Sequence, residues 1–122
     1  MTPAEFSARL TQRDLPTNPM ARIKALAREL AEGAAYRVWD TSFYTTVEDV
    51  YEIPSDERIQ RYIRARWMSY AEYPSLELLV QNGYLVVGEA DRFSRRMTIA
   101  RPAFELLQET EPTTIFISYK RS

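Results

Sequence analysis

The chain contains no cysteine and no histidine. Their absence removes disulfides, thiolate and imidazole metal ligation, Ser-His and Cys-His nucleophilic catalysis and histidine pH switching, and leaves carboxylate, lysine and tyrosine chemistry. Only three glycines occur, at 33, 83 and 88, too dispersed to build a phosphate-cradling loop. No stretch approaches the roughly 20 apolar residues of a membrane helix, and the N-terminus lacks the basic-then-apolar pattern of a secretory signal, so a cytoplasmic location is the default expectation. Excess positive charge is also missing. The 16 basic residues face 17 acidic ones, and without Lys120 and Arg121 the balance is 14 against 17. That is not the overall footprint of a nucleic-acid binder.

What is present is 122 residues with 45% apolar content, enough for one core and a single domain with a terminal extension. Thr2-Pro3-Ala4-Glu5 supplies a cap, a first-turn proline and a third-position carboxylate, predicting a helix to about Leu10 anchored by Phe6 and Leu10. Asn18-Pro19 restarts the chain with the same logic. Met20, Ile23, Ala27, Leu30 and Ala34 then mark the apolar face of a helix ending near Gly33, with Arg22, Arg28, Glu29 and Glu32 turned away from it. Residues 35–53 fit either a strand and turn or a second helix; irregular structure with a short helix after Thr46 is the favoured reading, and an extra β-element is the open alternative.

Pro54-Ser55-Asp56-Glu57 predicts a helix capped by Ser55 and running to about Ala71. Its apolar stripe is Ile59, Tyr62, Ile63 and Trp67, with Tyr70 extending it. Ser75 caps a shorter helix with Leu76, Leu79 and Val80 inward, closed by a left-handed turn at Asn82-Gly83. A hairpin follows, from Tyr84–Val87 through a polar loop at Gly88–Ser94 to Arg95–Ile99. Arg101-Pro102 opens a last helix with Phe104, Leu106 and Leu107 as its apolar residues.

This order of helix, turn, helix, hairpin and short helix over about residues 55–108 is similar to the winged-helix family. The resemblance implies an α+β, mostly helical fold: a three-helix core whose first helix is Pro19–Glu32, a β-hairpin wing, an N-terminal helix and a C-terminal strand extension. The corresponding divisions are 1–18, 19–112 and 113–122. Family members that read DNA place the second helix of the pair in the major groove and need basic or amide side chains on it. Here that helix is Ser75–Asn82, which has no basic residue and carries Glu77. The candidate contacts are instead Arg58, Arg61 and Arg64, with Arg66, on the preceding helix, and Arg92, Arg95, Arg96 and Arg101 around the wing. Phe93 at the wing tip either meets a partner or folds back. Each cluster has a plainer explanation as a solvated face, the first with Asp56 and Glu57, the second with Glu89 and Asp91. Tyr62, Trp67 and Phe104 are expected to fill the core rather than to stack on bases.

The run Thr114–Ser122, β-branched and aromatic and ending Ser-Tyr-Lys-Arg-Ser, resembles the first conserved box of Toll/interleukin-1 receptor (TIR) domains. An edge strand with a frayed basic tail would look the same. The resemblance implies that a TIR domain follows, and that Phe116, Ser118, Tyr119 and Arg121 correspond to the box at the edge of a nucleotide pocket. Many bacterial TIR proteins hydrolyse NAD⁺ with a glutamate further downstream, so NAD⁺ is implied as substrate of the parent and no cofactor is expected in this segment. Carboxylate pairs such as Glu48-Asp49 show no sign of converging on one pocket, and the segment is expected to be non-enzymatic. The expected function is regulation or localisation of a bacterial defence effector through a protein partner or a second copy, without membrane or metal; DNA binding through the wing arginines is the alternative.

Overall fold

The computed structural model describes residues 2–48, 51–67 and 74–108. Helix α1 (Pro3–Leu10) begins with the expected capping box: the Glu5 N–H donates to the Thr2 hydroxyl at 3.1 Å, and the Thr2 N–H donates back to the Glu5 carboxylate at 2.8 Å. Helix α2 (Pro19–Ala35) is capped by Asn18, whose side-chain oxygen accepts from the N–H groups of Met20 and Ala21. Phe6 and Leu10 are fully buried in the same core as Leu26, Leu30, Tyr62 and Trp67. The Phe6 ring meets Trp39 edge-on at 5.3 Å, a favourable aromatic geometry.

Helix α2 does not stop at Gly33. Position 33 lies inside the helix, and it must be glycine because Trp39 folds back onto it: a Cβ there would stand 2.1 Å from Cζ2 of the indole. The Trp39 indole N–H donates to the Leu30 carbonyl at 2.9 Å. Termination comes later, at Arg37, held at φ 61, with the Val38 N–H closing on the Gly33 carbonyl at 2.8 Å. A left-handed residue past the last turn is the usual helix stop, and glycine is its usual occupant. Met20, expected on the inner face, is 47% exposed.

The stretch expected to be irregular with a short helix is instead two strands, β1 (Ser42–Glu48) and β2 (Tyr51–Pro54). Phe43 and Thr45 are buried while Tyr44 and Thr46 are exposed, the period of two that defines a half-buried strand. Helix α3 (Glu57–Trp67) follows. Its cap is displaced by one residue from expectation: Asp56 accepts from the Arg58 N–H at 2.8 Å, while the Ser55 hydroxyl donates to the Tyr44 carbonyl across the sheet. Helix α4 (Leu76–Gln81) carries the Ser75 cap and ends in Gly83 at φ 83, as the sequence indicates.

Strands β3 (Leu85–Ala90) and β4 (Arg95–Ile99) form the hairpin, with β3 reaching three residues further than Val87, so the wing loop shortens to Asp91–Ser94. The hairpin is not isolated. Among the described residues there is one four-stranded antiparallel sheet of order β2-β1-β4-β3, with Phe43 opposite Met97 and Val87 opposite Met97. Helix α5 (Arg101–Glu105) and a 3-10 turn (Leu106–Gln108) pack Ala103 and Leu106 against α2. The molecule is thus a small α+β domain in which helices cover one face of an antiparallel sheet. Among the described residues no helix is long and apolar enough to cross a membrane.

Candidate interaction surface

The arginines singled out by the sequence have four different fates. Arg66 is not on the surface. It is buried against Glu29, each side chain only 3% exposed, with N–O distances of 3.0–3.3 Å. Its guanidinium also donates to the Arg13 carbonyl, and the Tyr62 hydroxyl donates to Glu29. Glu29 and Glu32 therefore point into the protein, against expectation, because arginines from outside α2 meet them there; Arg13 grips Glu32 through two nitrogens at 3.1 and 3.2 Å. Burial pushes the Glu29 carboxyl up despite Arg66 and Tyr62, and pushes the Tyr62 hydroxyl well up as well.

Arg58 is engaged locally. It bonds Asp56 at 2.7 Å and lies 3.6 Å from Asp40, and its hydrogen bond holds the Asp56 carboxyl below the usual range. Arg61 and Arg64 lie one turn apart on the exposed face of α3.

Arg95 is the hinge between sheet and helix. Its guanidinium takes both oxygens of Glu52 on β2, at 2.7 and 2.6 Å, and Glu77 on α4 at 3.0 Å. The Glu52 carboxyl is held below its ordinary value: burial pushes it up, but the hydrogen bonds from Arg95 and Thr45 prevail. The Glu89 and Asp91 pairing suggested by proximity in sequence is not the one that forms. Asp91 instead accepts from the N–H groups of Phe93 and Ser94, each at 2.9 Å, which tightens the wing tip. This leaves Phe93 67% exposed with the Arg92 guanidinium 6.0 Å from its ring centroid. Arg96 is exposed on the outer sheet face opposite Tyr44, and Arg101 pairs within α5 to Glu105.

The structure thus joins Arg95 to α4 but does not gather the α3 and wing arginines into one patch. On α4, Glu77 and Gln81 are exposed together with Leu78, which is 39% exposed. Leu78 borders a hollow of about 220 Å³ whose other walls are Pro19, Arg22, Ile23 and Pro74. Glu52 and Leu78 were not legible as surface determinants: Glu52 meets Arg95 across 43 positions, a separation no periodicity reports. Phe116, Ser118, Tyr119 and Arg121 lie outside the described residues. Among the described residues no group of three or more acidic, histidine or cysteine side chains could hold a metal ion. No protein-family model matches the chain, and no curated protein or solved structure is significantly similar to it.

Proposed function

We propose that this chain is a non-catalytic, winged-helix-like module that localises or regulates a cytoplasmic TIR-domain effector by docking on a protein partner or a second copy of itself. The succession α2, α3, α4 and hairpin, with β1 alongside β4, supports that architecture; α4 then stands where the recognition helix would, and residues 91–94 where the wing would. The observation that carries the reading is Glu77. On the surface that meets phosphates in DNA-reading relatives of this architecture, the helix presents a carboxylate already bonded to Arg95 and, beside it, an exposed leucine at the edge of an apolar hollow. A carboxylate there opposes a polyanion, whereas exposed apolar side chains beside a hollow suit a protein contact.

In a duplex titration followed by fluorescence anisotropy, the chain is expected to bind no more tightly than the roughly 10⁻⁴ M of weak non-specific association. Leu78→Asp is expected to abolish self-association or partner docking measured by sedimentation, while Arg61→Glu with Arg64→Glu tests whether the α3 face takes part. The competing reading, phosphate contact by the wing, is favoured by Arg92 and Arg96, which are exposed and form no ion pair with a carboxylate among the described residues. Duplex affinity that falls linearly with log salt and disappears in the Arg92→Gln, Arg96→Gln double variant would replace the protein-docking reading with that one.

The TIR assignment is supported by the sequence resemblance at Phe116 and Ser118–Arg121. The coding sequence beyond Ser122 tests it. A further domain of alternating strands and helices with a downstream glutamate would make NAD⁺ consumption by the longer protein the assay, and a stop codon would remove the assignment.

A further inference from the structure

Helix α2 separates its charges by face. Its two carboxylates, Glu29 and Glu32, are drawn inward to Arg66, Arg13 and Arg9. Lys24 and Arg28 are left one turn apart on the side facing the 3-10 turn, where like charges at that spacing repel. Neither forms an ion pair with any described residue. They line a hollow of about 240 Å³ with Ala21, Ala25 and Leu106. The two alanines keep the floor low and Leu106 makes an apolar wall. Arg28 is half-buried, and its Nε, closed off from solvent, has no hydrogen-bond partner among the described residues. A guanidinium and an ammonium lining one hollow make it electropositive and suited to an oxyanion. The helix has no acidic residue in its first turn and no basic residue in its last, so its charges do not serve the helix dipole either.

We propose that this hollow receives the carboxylate of an acidic segment of a protein partner, with Lys24 and Arg28 supplying the positive charge, and Leu106 with the alanine methyls covering the apolar stem of the acidic side chain. The inference deepens the protein-docking reading and rests on it, but it uses a different surface: no lining residue belongs to α4 or the wing.

The test is a ¹H–¹⁵N titration of the full 122-residue chain with a blocked Glu-Leu-Glu tripeptide and, separately, with inorganic phosphate. The tripeptide is expected to shift the amide signals of Ala21–Arg28 and Leu106, with affinity at least tenfold weaker in Lys24→Gln, Arg28→Gln and unchanged in Leu78→Asp. Lys24 is exposed and Arg28 half-buried, and an unaltered spectrum elsewhere shows that the variant is folded. Shifts that survive the double substitution, or no shifts with either probe, would overturn the assignment. So would a response to phosphate alone, which would make the hollow a phosphate site. Binding seen only in a Glu109→Gln, Glu111→Gln variant would mean that the chain's own carboxylates compete for the hollow, which also removes the partner. Failure here leaves the α4 surface untouched, whereas tight duplex binding would sink the docking reading without altering these shifts.

Discussion

Glu29 with Arg66 and Glu52 with Arg95 are the same chemical pair in two settings. The surface pair has the better geometry, two near-parallel contacts of 2.6 and 2.7 Å, while the inner one is looser at 3.0–3.3 Å. The side chains of the inner pair are 3% exposed and those of the outer pair 26% and 17%. Length alone would rank the outer pair first. Desolvation reverses the order, because removing one member of the buried pair strands a charge that water cannot reach, whereas at the part-exposed outer pair water reaches what is left. The inner pair ties α2 to α3 and, through the Arg13 carbonyl, to the segment after α1; the outer pair ties β2 to β4 and α4.

The largest expected effect follows from stranding Glu29. Arg66→Ala should lower the unfolding free energy by about 3–5 kcal/mol in a urea titration; a loss below about 1 kcal/mol would show that burial does not distinguish the two networks. Replacing both members by Glu29→Gln and Arg66→Met should recover much of that loss, since neither charge is then left alone. The pH response should separate the pairs by sign. Glu52 has a folded-state pKa below the unfolded one, so its contribution is present above the unfolded value and is lost as pH falls through the folded one. Glu29 is raised, so its contribution is fully present below the unfolded value and is lost as pH rises through the folded one. Glu52→Gln should therefore flatten the acid limb of stability against pH, and Glu29→Gln should steepen it; equal slopes would refute the opposition. The smallest effect is expected of Arg95→Gln, about 0–1 kcal/mol and diminishing at high salt, measured by thermal melts at two ionic strengths.

Local chemistry was the legible part of the sequence. Thr2, Asn18 and Ser75 cap the helices they precede, Gly83 provides the left-handed turn, and Tyr62 with Trp67 fills the core. Each depends on a few neighbouring residues. The readings that failed depended on remote ones. Glu29 and Glu32 look solvated on a helical wheel, and it is α3, α1 and the α1–α2 connection that supply the arginines drawing them inward. Gly33 resembles a helix end until Trp39 is seen in the space its missing side chain leaves. Residues 42–48, expected to be irregular, form β1, where Thr45 is fully buried with its hydroxyl donating to Glu52 on β2 at 2.7 Å. For the candidate surface, the residue types were readable, but which arginines stay free was decided by pairings between distant elements.

The contact between Gly33 and Trp39 also constrains how this sequence can change. The indole occupies the place where any side chain at position 33 would begin, so a larger residue there becomes admissible only after position 39 has shrunk. Shrinking 39 first removes the N–H donated to the Leu30 carbonyl and leaves a void beside Phe6. Single steps in either order pass through a less stable intermediate, so the two positions are expected to vary as a pair, and a library of random variants should return them jointly conserved or jointly exchanged.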